Sequence, residues 1–398
     1  MLIFSHNKYP ILIYSGPRLL NSNQSPSINS NFIYLTGLDI ENLVLFSYLD
    51  EIHFYGKVSP KIKLDMKKKI YHHPISKLPD LILKLEGKKI YSLSNFSTIP
   101  GLHHLDSLDI KMLDSICQKR RPTKNQTEIK KIETACQIVS QAIQDTWKEL
   151  SQRSISNCQQ LVNLVEKKIK KKLEYPAYST ICTTGANSTT LHCEHYRSKI
   201  KNNLILLDIG FKYQGYCSDI TRTFPLDTMT PEQKEMYEIV LEANEKAIAQ
   251  LKPRVSFLKI EKDIYLFLYQ ELDKLGFFRK KMESNLDKIS FIQQEVMYHS
   301  LGHLIGLEVH DIGKLDRLQE NMVLTIEPGI YFRKKLRNHP HINPSILDQY
   351  LDIGGIRIED TVLITQTGSR ILNKVKGKIL PKRIKAIQKI LRFKNILE

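Results

Sequence analysis

Two aspartates interrupt an otherwise apolar hairpin in LLDIGFKYQGYCSDITRTF, residues 206–224. Leu204 to Leu207 lead in, Gln214-Gly215 supplies a turn, and Tyr216 to Phe224 lead out with β-branched residues at Ile220, Thr221 and Thr223. Asp208 and Asp219 stand one on each arm. A buried carboxylate is costly unless it is paired, hydrogen-bonded or bound to a cation. From the hairpin alone, two strand-end aspartates bonded to backbone N–H groups are as good a reading as a metal or catalytic site.

Three further segments set polar residues in apolar company. YHSLGHLIGLEVHDIG, residues 298–313, carries His299, His303 and His310. TIEPGIYF holds Glu327 between Ile326 and Pro328, and IRIED holds Glu359 after Ile356 and Ile358. Taken singly, each glutamate reads as a strand-end acid and His303 as a satisfied core histidine. Taken together, four buried carboxylates demand positive charge. The basic companion apparent in these strands is Arg357, and one guanidinium does not neutralise four acids, whereas two divalent cations do. Four carboxylates and one imidazole form a hard, oxygen-rich donor set, suited to manganese and tolerant of cobalt or zinc. Two such ions sharing a water lower its pKa and polarise a carbonyl.

The elements around these residues define the frame. Residues 1–120 alternate short strand-like runs (11–15, 32–37, 43–48, 52–55) with helix-like ones (76–87, 108–119), a small α/β domain. The polar stretch 16–31 is a surface loop, and the polar, basic 118–128 containing Pro122 is the boundary. Beyond it, Ile129, Ile132, Cys136, Val139, Ile143 and Trp147 form one apolar helical stripe, and a second helix covers about 157–172. Thr230-Pro231-Glu232-Gln233 starts another, with Thr as N-cap, Pro at the first helical position and Gln at the third. Strands are expected within 322–332 and 354–365.

Composition bounds the class. The chain has 398 residues, 41% hydrophobic and 25% charged, which fits a globular protein of one large or two smaller domains. No apolar run is long enough to span a bilayer, and the N-terminus lacks the basic start and continuous apolar block of a signal peptide, so a cytoplasmic location is expected. Six cysteines without a C-x-x-C pair argue for reduced, buried thiols, with Cys217 a neighbour of Asp219. The net charge of +17 is uneven, because nine Lys/Arg lie between 374 and 394. A terminal helix over 381–397, its apolar Ile384, Ile387 and Leu391 docked on its own domain, is the preferred reading of that tail over nucleic-acid or anionic-lipid binding.

The order Asp208, Asp219, His303, Glu327, Glu359 resembles the metallopeptidases of the pita-bread fold, which include methionine aminopeptidase, prolidase and aminopeptidase P. LLDIGFKYQGYCSDITRTFP, HSLGHLIGLEVHDIG, TIEPGIY and GIRIEDTVLIT carry the resemblance, and NFIYLTG is similar to the opening domain of aminopeptidase P. The resemblance implies an aminopeptidase P-like N-terminal domain over 1–121 and a pita-bread (creatinase/aminopeptidase-like) catalytic domain over 122–398. It implies that Asp219 and Glu359 bridge two divalent ions, that Asp208 binds one, and that His303 and Glu327 bind the other. Glu327 would also carry the proton of the attacking water, His310 would hold the substrate carbonyl, and His299 and His192 would line the pocket. Arg357 would sit behind the ligands and tune their charge. The implied activity is release of an N-terminal residue preceding proline by a homodimer or homotetramer. The alternatives are an Xaa-Pro dipeptidase (prolidase) and a non-catalytic peptide-binding module. HDIG after His310 and the long insert between Glu327 and Glu359 favour aminopeptidase P over prolidase.

Overall fold

The computed structural model describes residues 11–15, 30–36, 38, 43–48, 51–57, 69–85, 89–93, 109–150, 155–173, 175–193, 200 and 204–373. Residues 16–29 of the loop expected over 16–31, whose last two residues lie in a helix, and the tail helix expected over 381–397 lie outside the described residues. The chain divides into two compact units, Met1–Pro122 and Thr123–Glu398.

The first unit holds β1 (Ile11–Tyr14), α1 (Ser30–Thr36), β2 (Val44–Tyr48), β3 (Glu51–Tyr55), β4 (Lys69–His73), α2 (Leu78–Leu85), β5 (Lys89–Ser92), β6 (Asp109–Met112) and α3 (Asp114–Arg120). Its six strands form one mixed sheet in the order β4-β3-β2-β1-β5-β6. Leu78 and Leu85 of α2 cover Leu12, Tyr14, Val44, Phe46 and Tyr55 on one face. Two expectations are corrected here. FIYLT, read as a strand from its aromatic and β-branched residues, lies in α1, where Phe32, Leu35 and Thr36 are buried at helical spacing and Thr36 Oγ1 bonds Phe32 O at 2.7 Å. A short apolar run carries too little periodicity to separate the two states. Residues 108–119, read as one helix, divide between β6 and α3, because β6 pairs in parallel with β5.

The second unit is built from two similar halves. In the first, α4 (Gln126–Leu150) and α5 (Cys158–Ile169) precede β7 (Tyr175–Pro176), β8 (Ile181–Thr184), β9 (Leu204–Ile209), β10 (Phe211–Tyr213), β11 (Tyr216–Cys217) and β12 (Ile220–Pro225). Val139 and Ile143 of α4, with Leu161, Val162 and Val165 of α5, pack on Ile205, Leu207 and Ile209 of β9, and Trp147 lies 4.2 Å from the Phe224 ring. Gln214 and Gly215 both take positive φ, 49° and 84°, giving the tight turn that closes β10 onto β11.

The second half comprises α6 (Pro231–Gln250), α7 (Phe257–Lys274), α8 (Asn285–Phe291), β13 (Val323–Ile326), β14 (Gly329–Tyr331), α9 (Pro344–Tyr350), β15 (Gly355–Arg357), β16 (Asp360–Ile364) and β17 (Ser369–Ile371). Thr230 caps α6 in a reciprocal capping box with Gln233. Each half sets an antiparallel three-stranded sheet against two helices, β12-β9-β8 in one and β13-β16-β17 in the other. The insert between Glu327 and Glu359 folds into α9 and flanking 3-10 turns, with Leu336, Ile342, Leu347, Tyr350 and Ile353 in the core. Among the described residues no helix is long and apolar enough to cross a membrane.

Candidate metal centre

The two halves meet at their polar strand ends. Asp208, near the end of β9, stands opposite Thr221 of β12, and Asp219 directly precedes β12. Glu327 lies between β13 and β14, and Glu359 between β15 and β16. Asn244 of α6 ties the two glutamate segments together, its amide donating to Ile326 O at 2.9 Å and Ile358 O at 3.3 Å. Asp208, Asp219 and Glu359 are buried, and Glu327 and His303 are half-buried.

Each side chain is held by a specific partner. Arg357 Nη2 donates to Asp208 Oδ2 at 2.6 Å, and the Tyr178 hydroxyl, with one proton to give, sits in hydrogen-bond contact with both Asp208 and, at 2.5 Å, Asp219. Thr221 Oγ1 donates to Glu359 Oε2 at 2.6 Å, and Thr361 Oγ1 donates to the Asp219 carbonyl at 2.7 Å. Thr325 Oγ1 accepts the His303 backbone N–H at 3.1 Å and lies 3.4 Å from Glu327 Oε1. His303 Nδ1 is 3.1 Å from Leu304 O. A carbonyl only accepts, so the proton sits on Nδ1 and the Nε2 lone pair is left for a cation. That Nε2 stands 3.6 Å from Asp219 Oδ2 and 3.5 Å from Glu327 Oε1.

His299 and His310 lie beside these groups, His299 Nδ1 being 3.8 Å from Glu327 Oε2. His299 Nδ1 donates to Ser300 O and its Nε2 accepts from the Tyr331 hydroxyl, both at 2.9 Å. Tyr331 in turn accepts from Arg357 Nη1 at 2.8 Å. His310 stands edge-on to His303, ring centroids 4.3 Å apart, and remains exposed. His192, also exposed, follows the turn Gly185–Thr189, which Ser188 Oγ anchors by accepting from Gly355 N at 2.6 Å.

The electrostatics record a deficit of positive charge. Burial pushes the Asp219 and Glu359 carboxyls well above their ordinary range, and each other's neighbouring acids add to it. Burial raises Glu327 to about 7, with Arg357 opposing and Asp208 adding. Burial lowers His303 to about 4, helped by His310, while bonds to the Leu304 and Val309 backbones oppose it. Burial and then Arg357 lower His299 to about 3. Neutral imidazoles beside crowded, reluctant anions are what a multivalent cation relieves. The geometry fits one: ligand atoms of Asp219, His303 and Glu359 all lie within 4.8 Å of one another.

Sequence reasoning missed several partners. Arg222 is a second buried cation in these strands, so Arg357 is not alone. Its Nη2 pairs with Asp360 Oδ1 at 2.7 Å and its Nη1 donates to the Thr221 and Glu359 carbonyls at 2.8 and 2.5 Å. A lone arginine inside ITRTF was the available signal. Tyr178 had none, since nothing in YPAYST distinguishes a site tyrosine from a packed one. Cys217 is no site residue: its thiol lies 3.6 Å from Leu307 O, and burial pushes its pKa up to about 12.

Comparison with known proteins adds independent findings. The sequence profile of metallopeptidase family M24 matches residues 130–366. An Xaa-Pro dipeptidase of Pyrococcus horikoshii is 29% identical over 392 residues, covering 93% of this chain and 94% of that protein. An Xaa-Pro aminopeptidase of Escherichia coli is 36% identical over 205 residues, covering 50% of this chain and 44% of that protein. Among solved structures, proline aminopeptidase P II from Yersinia pestis superposes with a TM-score of 0.77 at 24% identity, covering 96% of this chain and 95% of that one. That last likeness is one of fold.

Proposed function

This chain belongs to metallopeptidase family M24, and on that premise we propose that it is a dinuclear-metal Xaa-Pro aminopeptidase releasing the residue that precedes proline. The observation that carries the reading is the convergence of four carboxylates and one imidazole nitrogen from separate segments onto one buried centre. Asp219 and Glu359 would contact both ions, Asp208 one, and His303 and Glu327 the other. The oxygen-rich donor set suits manganese. Bound there, divalent ions supply Lewis acidity and a water of lowered pKa.

The chain's own groups do the rest. Glu327, whose carboxyl titrates near neutrality before any cation binds, takes the proton of the attacking water and returns it to the proline nitrogen. A tertiary amide nitrogen leaves only when protonated, so this return is the step that frees the product. His310, exposed beside His303, orients the scissile carbonyl oxygen. Both ring nitrogens of His299 are engaged by Ser300 and Tyr331, so it acts as a fixed neutral wall of the pocket. His192 lines the open side.

Names of relatives divide between aminopeptidase and dipeptidase, and the insert favours the former. A dipeptidase closes behind the proline with a cation for its carboxylate. Arg333 and Lys335 pair with Glu295 at 3.0 and 2.9 Å, and Arg337 pairs with Asp348 at 2.8 Å, so three of the four insert cations, all but Lys334, are engaged in these pairs. Release of the free N-terminal amino acid from paired Xaa-Pro and Xaa-Pro-Xaa peptides, assayed with Mn2+, tests this. Tripeptides cleaved at least as well as dipeptides are expected. Cleavage confined to dipeptides would make it a prolidase, and cleavage of neither by metal-loaded protein would make it a binding module.

A further inference from the structure

Lys124 and Asp311 form a buried ion pair, Nζ to Oδ2 3.0 Å, with side chains 1% and 2% exposed. The mechanism above uses neither. Lys124 enters just before α4, and its backbone N–H donates to Asn321 O at 2.8 Å, next to the start of β13. Asp311 follows His310 and closes the loop 304–311. The Asp311 N–H donates to Leu304 O at 2.8 Å, the same carbonyl that accepts from His303 Nδ1 at 3.1 Å. Inside the loop, Gly306 N donates to Glu308 O at 3.0 Å and Cys217 N donates to Gly306 O at 2.7 Å, tying it to the first half.

Gly306 shows how tightly the pair sits. A Cβ on Gly306 would lie 2.2 Å from Asp311 Oδ2 and 3.1 Å from Lys124 Cε, so any side chain there expels the carboxylate. Burying two charges is repaid only by good geometry, and hydrophobic residues of similar volume often serve stability as well. The chain nevertheless spends this pair on the loop that follows His303 and ends just after His310.

We propose that the Lys124–Asp311 ion pair is a positioning clasp: it locks the 304–311 loop so that Leu304 O holds His303 with its Nε2 toward the cation site and His310 stays beside it. The proposal rests on the metal-binding reading of His303. Without the clasp, Asp311 leaves Leu304 O, the loop loosens, and His303 samples both tautomers.

The test compares wild type, Asp311→Asn and the double variant Lys124→Met/Asp311→Leu, which removes both charges of the pair together, with thermal unfolding of each variant to show that it folds. Ring-nitrogen 15N NMR of metal-free protein at pH 8, with the His303 signals assigned by their loss in His303→Asn, reads the tautomer directly. Calorimetric titration with Mn2+ reads affinity. Wild type is expected as the Nδ1–H form, Asp311→Asn close to it because an acceptor remains, and the double variant as a tautomer mixture with Mn2+ bound about tenfold or more weakly. A double variant that is thermally stable, with wild-type His303 signals, would reduce the pair to a stability element and overturn the proposal. Wild type that binds no Mn2+ would instead sink the peptidase reading, while the ring signals would still decide the clasp.

Discussion

The two halves of the catalytic unit share a plan and divide the chemistry unequally. Each backs a three-stranded antiparallel sheet with two helices. The first closes β10 onto β11 with the two-residue Gln214-Gly215 turn and contributes Asp208 and Asp219, short acids held by Tyr178. The second inserts α9 between β14 and β15 and contributes His303 and the longer acids Glu327 and Glu359. The acids of the first half bracket a hairpin, so their separation is set by the register of one strand pair. Those of the second also flank paired strands, Ile326 opposite Asp360 and Gly329 opposite Arg357, and Asn244, Thr325 and Arg222 add bonds around them. Strand register places the acids in both halves, and they differ in the connection: a two-residue turn in the first, the α9 insert in the second.

The largest expected effect breaks the seam between halves. Arg222→Met removes the guanidinium paired with buried Asp360, whose Oδ1 keeps the Asn373 amide at 2.8 Å, and the donor to Glu359 O. It should cost about 3–5 kcal/mol in urea unfolding of the metal-free protein. A loss below 1 kcal/mol would mean the halves do not depend on this cation. Next, Glu327→Gln should lower kcat by about 10²-fold or more, measured as release of the N-terminal residue, because it removes the proton carrier and weakens a ligand. Asp208→Asn in the same assay separates ligand loss from proton transfer, since Asp208 is proposed only to bind; equal losses in both would remove the case for a special role of Glu327.

A smaller effect tests the charge deficit through pH. Asp219, Glu359 and Glu327 have raised folded pKa values, Glu327 about 7 against an ordinary 4.5. The folded metal-free protein therefore holds protons that the unfolded chain has released. That contribution is full below the ordinary carboxylate range and is lost as pH rises through the raised values. His303 and His299, lowered to about 4 and 3 from 6.5, act with the opposite sign, and their opposing contribution fades above pH 6.5 as the unfolded histidines lose their protons. Stability of the metal-free protein should thus fall from pH 6.5 to 8, while Mn2+ affinity rises over the same window as protons cease to compete. A urea midpoint that climbs across that window would contradict the assignment.

The smallest effect compares helix starts in the two halves. Asn157→Ala removes the side-chain acceptor of Gln160 N at α5, and Thr230→Ala breaks the reciprocal box at α6. Each should cost about 1 kcal/mol, Thr230 the more, because it also releases Gln233 from the cap. Chemical denaturation of both variants with metal present checks the order.

Residue types raised Asp208, Asp219, His303, Glu327 and Glu359 only as a group, four acids and an imidazole in apolar company, and their roles as ligands came from the family resemblance. The α4 stripe and the Thr230 cap were legible because each is a local pattern with one physical meaning. The FIYLT helix was not, since burial on its own domain overrode its strand-like composition. Nor was the Tyr178 hydroxyl between two aspartates, the Arg222–Asp360 pair, or Lys124 against Asp311, each joining residues 30 to 187 positions apart. Sequence alone determined which groups are chemically out of place and therefore in need of partners. Tertiary structure decided which partners they have, because hydrogen bonds and ion pairs between distant segments depend on angstrom-scale placement that no local pattern encodes.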